Sequence, residues 1–345
     1  MGEDNREKRT LVLGASAGIS GDMTVAALLD LGADSKVLTD AISTLPLEGF
    51  RIEISRVKKS ALDACDFRVI LDEEHENHDH DMVFLHPDHT EDPLLMKKED
   101  SVQSAQECGH HHAHHHGGRN LDDIEQILRA GRLTPRALQL ALKIFRIVAE
   151  AEASVHGIEI GQVHFHEVGA VDSIIDIAAA AVCLDNLGIT DCVITDLTEG
   201  TGTVMCQHGM LPVPVPAVTQ ILQRYMMSVH IDSSVRGELI TPTGAAIAAA
   251  IMTGEMLPER FKIERMGLGA GKRDYKTAGV LRAMLIREEI RENSDLVDVL
   301  QTNVDDCSGE ALSVAMELLL REGALDVFYT PIFMKKNRPA YMITV

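Results

Sequence analysis

Apolar and polar positions change their period repeatedly along this chain, and each change marks an element. The run "TLVLGA" (Thr10–Ala15) is continuous enough to predict a buried strand, and "GDMTVAALLDLGA" behind it predicts a helix. "FRIEISRVKKSALDACDFRVIL" alternates and supplies one or two strands. Asn120 is placed to cap "LDDIEQILRA", where Leu121, Ile124, Ile127 and Leu128 form one stripe ending before Gly131. Thr134 and Pro135 open a longer helix that stops at Gly157. "VDSIIDIAAAAVCLDNLGI" predicts a largely buried helix, "DCVITDLTEGTG" a strand and loop, and "LPVPVPAVTQIL" an extended segment leading into a helix. Thr241–Pro242 opens the apolar helix of "ELITPTGAAIAAAIM". "FKIERMGLGAGKRD" and "VLRAMLIREE" read as strands about a glycine-rich turn. The mixed order predicts an α+β (mixed α/β) N-terminal domain over residues 1–290.

After the polar hinge "REEIRENSD" the pattern restarts over residues 291–345. "LVDVLQTNV", "GEALSVAMELLLREGA", "LDVFYTPIF" and "AYMITV" give the order β-α-β-β, the opening of a ferredoxin-like unit. Because the sequence stops on an apolar residue in mid-strand, this domain is read as incomplete.

Residues 72–118 break the pattern. They carry twelve Asp and Glu against two Lys, and eleven of the sixteen histidines. Their apolar residues are too few and too clumped for a core, which predicts a disordered, acidic, His-rich insertion.

Composition narrows the function classes. Aromatics make up 3% of 345 residues, Trp is absent, and the net charge is −21, which disfavours DNA, RNA and anionic membranes. The charged start "MGEDNREKR" is unlike a signal peptide, and no apolar run approaches the ~20 residues of a membrane span. Six cysteines without a CxxC pair read as reduced thiols, so a cytoplasmic location is expected.

The densest candidate chemistry is "VHFHEVGAVDSIIDIAAA". On a strand, His164 and His166 share one face; on the helix that follows, Asp172 and Asp176 do, with Glu167 between the two pairs. Imidazoles with a few oxygens suit a borderline divalent ion. A plain structural reading stays open, with Asp172 capping its helix and the histidines bonded in the core. In "MCQHG", Cys206 and His208 offer a thiol beside an imidazole, although an interior cysteine is more often packing. Glu152 and His156 form an i,i+4 pair, read as a helix-end contact. "GASAGISGDM" and "GLGAGKRD" could cradle phosphates, the second with Lys272 and Arg273, though a tight hairpin also explains its glycines. In "MKKNRP", Lys335, Lys336 and Arg338 form a cationic cluster suited to a triphosphate. Asp305, Asp306 and Glu310 of "TNVDDCSGE" could hold its hard cation, and an exposed turn is the bland alternative.

Taken together, "GISGDMTVAALLDLGA", "RVKKSALDACDF", "HHHAHHH", "VHFHEVGAVDSIIDI", "HGMLPVPVPA", "GELITPTGAAI", "GLGAGKRD", "TNVDDCSGE" and "FYTPIFMKKNRP" occur in an order that resembles the LarC family. These are the nickel-insertion proteins of nickel-pincer cofactor biosynthesis. The resemblance covers nearly the whole chain from Thr10. It implies a CTP-dependent, lyase-class cyclometallase that inserts Ni²⁺ into pyridinium-3,5-bisthiocarboxylic acid mononucleotide. The product would serve an apo nickel-pincer-dependent enzyme such as lactate racemase. The C-terminal domain would bind CTP with Mg²⁺ or Mn²⁺, giving Lys335, Lys336, Asn337 and Arg338 the triphosphate-facing role, with Asp305 and Asp306 beside the cation. Members of the family continue beyond "KKNRP", in line with an incomplete last domain, and a homo-oligomer is expected.

Within that resemblance nickel is the metal expected at His164, His166, Asp172 and Asp176, with Cys206 and His208 as further ligands. Forming a nickel–carbon bond removes a ring proton, and His166 and Glu167 are the candidate bases. His110, His111, His112, His114, His115 and His116 lie inside the chain and are interrupted by Ala113, which suits a nickel store better than a tag. A non-catalytic nickel-storage protein using this tract is the alternative, and an unrelated nucleotide-dependent enzyme a third.

Overall fold

The computed structural model describes residues 9–72, 119–165, 168–206, 208–254, 256–273, 278–289 and 297–345. It divides into two compact units, Met1–Glu289 and Ile290–Val345. Both mix helices and strands, so the chain is mixed α/β.

The first unit opens with β1 (Arg9–Gly14), α1 (Gly21–Leu31), α2 (Ser35–Ile42) and the hairpin β2 (Phe50–Lys59) and β3 (Leu62–Leu71). Residues 73–118, which hold the expected insertion, lie outside the described residues; beyond them come β4 (Arg119–Asn120), α3 (Leu121–Ala130), α4 (Pro135–His156), β5 (His164–Phe165) and α5 (Val171–Asn186). Next are β6 (Asp191–Thr195), β7 (Thr198–Thr201), the hairpin β8 (Thr203–Cys206) and β9 (Gly209–Pro212), and α6 (Pro216–Arg224). The unit closes with β10 (His230–Arg236), α7 (Pro242–Ile251), β11 (Phe261–Ala270) and β12 (Val280–Glu288).

Local signals set the helix ends. Asn120 and Asp123 form a capping box, each side chain accepting the other's backbone N–H at 2.9 and 3.0 Å. Thr134 caps α4 ahead of Pro135, and Gly157 ends it in the left-handed region at φ 65°.

A six-stranded sheet in the order β2-β3-β11-β12-β1-β6 forms the frame, with β1 antiparallel to β12 and parallel to β6. The main core is packed by α1, α4, α5 and α7, whose alanine-rich faces, such as Ala178–Ala181, admit close helix contacts. The other core cluster on this sheet is small: Val12, Met284 and Ile286 with Phe261.

The glycines of "GLGAG" differ from the expected hairpin turn. Gly267 and Gly269 lie inside β11 and let α1 pack backbone to backbone. A methyl group on Gly269 would sit 2.0 Å from the Met23 carbonyl oxygen, and one on Gly267 would sit 2.4 Å from that of Ala27. This close approach sets the start of α1 beside the end of β11.

In the second unit, β13 (Gln301–Val304), α8 (Gly309–Arg321), β14 (Phe328–Met334) and β15 (Arg338–Thr344) follow the expected β-α-β-β order. The antiparallel sheet β13-β15-β14 packs Ile343 against Leu312 of α8 and Val327. Among the described residues no helix is long and apolar enough to cross a membrane.

Candidate active site

A cavity of about 450 Å³ opens where several ends meet in the first unit: the starts of α1 and α5, the end of α4, the β8–β9 hairpin, the segment 238–243 and the residues following β11. Apolar side chains including Phe165, Val168, Val204, Leu211 and Val215 form part of its lining. Its polar groups fall into two sets of different chemistry.

The first set is oxygen-rich. Ser20 caps α1 and its hydroxyl donates to Asp22, whose carboxylate also accepts the Met23 N–H at 2.9 Å. Asp172 and Asp176, one turn apart at the start of α5, both line the cavity. The Asp22 N–H donates to Asp176. That approach needs Gly21, since a methyl group there would lie 2.8 Å from the Asp176 carboxylate. Lys272, carried past the end of β11, places Nζ 3.3 Å from Asp22 Oδ2. Burial raises the Asp176 pKa well above the ordinary carboxylate range; the Asp22 charge adds to the shift and Lys272 opposes it. The charge of Asp22, helped by Asp176 and Asp172, raises Lys272 in turn.

The second set is softer. Cys206 Sγ lies 4.0 Å from His208 Nδ1 and 3.4 Å from the Gly209 carbonyl oxygen. The rings of His208 and His156 sit with centroids 5.0 Å apart. In the last turn of α4, Glu152 Oε2 is 3.4 Å from His156 Nε2. All four residues line the cavity.

A buried carboxylate holds the segment 238–243 in place. Glu199 Oε1 accepts the N–H groups of Leu239 and Gly200 at 2.6 and 2.8 Å, while among the described residues its Oε2 has no hydrogen-bond partner. Burial raises its pKa, and the three backbone N–H groups it accepts act against the shift. Arg273 donates to the Glu238 carbonyl at 2.6 Å and closes the same segment.

Of the metal-ligand candidates drawn from the sequence, Asp172, Asp176, Cys206 and His208 therefore meet in one cavity, joined there by Glu152, His156, Lys272 and Arg273. His164 pairs with Asn120 on β5, is exposed, and lies outside the lining, while its neighbour Phe165 is part of the lining. His166, Glu167 and the tract His110, His111, His112, His114, His115 and His116 lie outside the described residues. Among the described residues no three His, Cys, Asp or Glu side chains form a ready-made metal cluster. The loop "GASAGIS" makes a poor phosphate cradle, since Gly18 N–H bonds Ala15 and Ile19 N–H bonds Leu239. The start of α1 faces carboxylates.

Asp22, Glu199 and Glu238 escaped the sequence reading. An acid in the first turn of a helix is ordinary dipole chemistry and carries no mark of a site.

In the second unit, Lys335, Lys336 and Asn337 form the turn between β14 and β15, and Lys336 and Asn337 hold φ at 63° and 54°. Arg338 Nη1 lies 3.6 Å from Asp305 Oδ2, which brings "TNVDD" and "KKNRP" together.

Residues 11–345 match the family model described as "Nickel insertion protein". The chain is 48% identical to the pyridinium-3,5-bisthiocarboxylic acid mononucleotide nickel insertion protein of Alkaliphilus metalliredigens, over 97% of this chain and 77% of that one. The proteins of the same name from Acetivibrio thermocellus and Clostridium acetobutylicum are 40% and 41% identical, over 75% and 78% of their lengths and 98% of this chain. No solved structure matches the chain.

Proposed function

The chain belongs to the nickel insertion protein family, and from that premise we propose that it inserts Ni²⁺ into pyridinium-3,5-bisthiocarboxylic acid mononucleotide within the cavity of its first unit. The observation that carries this reading is one cavity presenting soft donors beside a cluster of carboxylates. Nickel is the metal substrate, and the two thiocarboxylates of the ring supply sulfur to it. A ring C–H bond breaks as the nickel–carbon bond forms, nickel stays divalent, and the proton passes to a base.

Asp22, Asp172 and Asp176 face the incoming positive charge of the ring and the metal. Asp176 joins His166 and Glu167 as a candidate proton acceptor, because it reaches the cavity and its raised pKa makes its carboxylate a stronger base than an ordinary aspartate. Asp172, Asp176, Cys206 and His208 are the cavity-facing candidates for nickel; His164 and His166 are the remaining candidates drawn from the sequence.

For the second unit we propose CTP binding with Mg²⁺ or Mn²⁺, with Lys335, Lys336, Asn337 and Arg338 toward the triphosphate and Asp305 and Asp306 beside the cation. What supports it is backbone strain: a lysine in the left-handed region costs about 1 kcal/mol, and such outliers cluster at ligand sites. Lys336→Gly is expected to leave the unit as stable or up to about 1 kcal/mol more stable while weakening CTP binding roughly 10- to 100-fold. Calorimetric titration with CTP and a melting curve check both halves, and unchanged affinity rejects the assignment. The ferredoxin-like fold of this unit, lyase-class activity and delivery of the product to a lactate racemase-type enzyme belong to the same proposal, as does a homo-oligomeric state.

Storage of nickel by the histidine tract is the competing reading, favoured by six histidines within seven positions. The chain is incubated with substrate, Ni²⁺ and CTP, and the mononucleotide is followed by mass spectrometry. An enzyme yields the nickel-bearing product with loss of a proton. A store binds nickel and leaves the substrate mass unchanged.

A further inference from the structure

We infer that the cavity takes up its nickel ion on Cys206, His208 and His156, with Glu152 as the carboxylate that orients His156. The inference rests on the nickel-handling reading above and adds a residue-level site to it. The Glu152/His156 pair looks like an ordinary helix-end contact in the sequence. In the fold, α4 brings it to the tip of the β8–β9 hairpin, where it meets a thiol and a second imidazole.

Three observations favour this wall over the carboxylate wall. Nickel(II) favours imidazole and sulfur donors, and this is the part of the cavity that offers both. Lys272 already stands against Asp22, and its charge acts on Asp176 and Asp172, so an ammonium fills the cation's electrostatic role there. Neither histidine is spent in the core: His156 and His208 are both exposed, and Cys206 is half-buried.

The pairing of Glu152 with His156 also fixes which nitrogen is offered. A carboxylate 3.4 Å from Nε2 favours the tautomer with its proton there and leaves Nδ1 as the donor, the arrangement that metal-binding histidines commonly use. Cys206 binds as thiolate and releases its proton to solvent as the ion arrives. The donors lie in pairs and do not yet converge, so closure takes rotation of side chains on the hairpin and the last helical turn. Three protein donors leave a coordination position open to a thiocarboxylate sulfur of the substrate.

The test is an absorption titration of the full chain with Ni²⁺ alone. A thiolate-to-nickel charge-transfer band is expected. Cys206→Ser should remove it, with Cys206→Ala as a second variant should the serine fail to fold. Cys108→Ser should keep it, although that thiol adjoins the histidine tract. His156→Gln and Glu152→Gln should each weaken the binding followed at this band by about 10- to 100-fold, the usual cost of losing even an outer-shell partner. Survival of the band in both Cys206 variants, its loss in Cys108→Ser, or native affinity in His156→Gln overturns the site. Product formed by a chain that shows no band overturns the site and leaves nickel insertion standing. A band that behaves as expected in a chain that forms no product supports the site and sinks the insertion reading.

Discussion

Asp176→Asn is expected to lower nickel insertion by about 10²- to 10⁴-fold, the range over which a positioned proton acceptor contributes. The amide keeps the shape of the side chain and removes its ability to take a proton from the ring. Little stability should be lost, on the order of 1 kcal/mol or less, because the amide oxygen can still accept the Asp22 N–H that the carboxylate accepts. The pH dependence has a definite sign. A carboxyl whose folded pKa exceeds its unfolded value binds its proton more tightly in the native state. Its stabilising contribution is therefore complete below the ordinary carboxylate value and is lost as pH rises through the folded one. The amide removes that slope, so Asp176→Asn should gain stability relative to the native chain between about pH 4 and pH 7. Turnover per folded molecule, with denaturant melts at the two pH values, checks both statements. Native turnover in the variant would return the proton-accepting role to His166 or Glu167.

Gly269→Ala should produce the largest loss of stability, about 3 kcal/mol. The added methyl meets the Met23 carbonyl oxygen at 2.0 Å and the Ala27 nitrogen at 2.5 Å, and backbone of a buried helix has no rotamer with which to yield. α1 must then move off the sheet. Because its first turn carries Ser20 and Asp22 and the end of β11 carries Lys272, the same shift opens the carboxylate wall. A misplacement of ~1 Å can cost about 10²-fold in rate, so activity should fall beyond what the folded fraction explains. Gly161→Ala is the control: nothing lies within 4 Å of its added methyl, and a change within about 0.5 kcal/mol is expected. Equal stability of the two variants by denaturant titration would mean that α1 and β11 are not in backbone contact.

Much of the fold was legible because its signals are local. Asn120 with Asp123, Thr134 with Pro135, and Gly157 each mark a helix end within a few residues, and each is found at that end. Of the site, Asp172, Asp176, Cys206 and His208 were legible from spacing that puts donors on one face. The rest depended on tertiary placement. "GLGAG" reads as a turn because glycine clusters usually punctuate a chain, and only the packing of α1 reveals a close-approach stripe. Asp22 acquires its role through Lys272, which joins it from the far end of the same unit. In "HFH" the alternation predicts a shared face for the two histidines but does not say which parity points inward, and in the fold the apolar Phe165 takes the cavity.

On the proposed reading, histidine content is a poor guide to where nickel is inserted. The tract is rich in one kind of ligand, whereas the cavity of the first unit combines thiol, imidazole and carboxylate beside apolar walls. The most direct measurement is product formed per folded chain at saturating Ni²⁺, substrate and CTP, for a variant in which His110, His111, His112, His114, His115 and His116 are all replaced by alanine. The account predicts fewer nickel ions bound than in the native chain and product at the native level. Product lost in step with the lost nickel would contradict it and place the insertion chemistry at the tract.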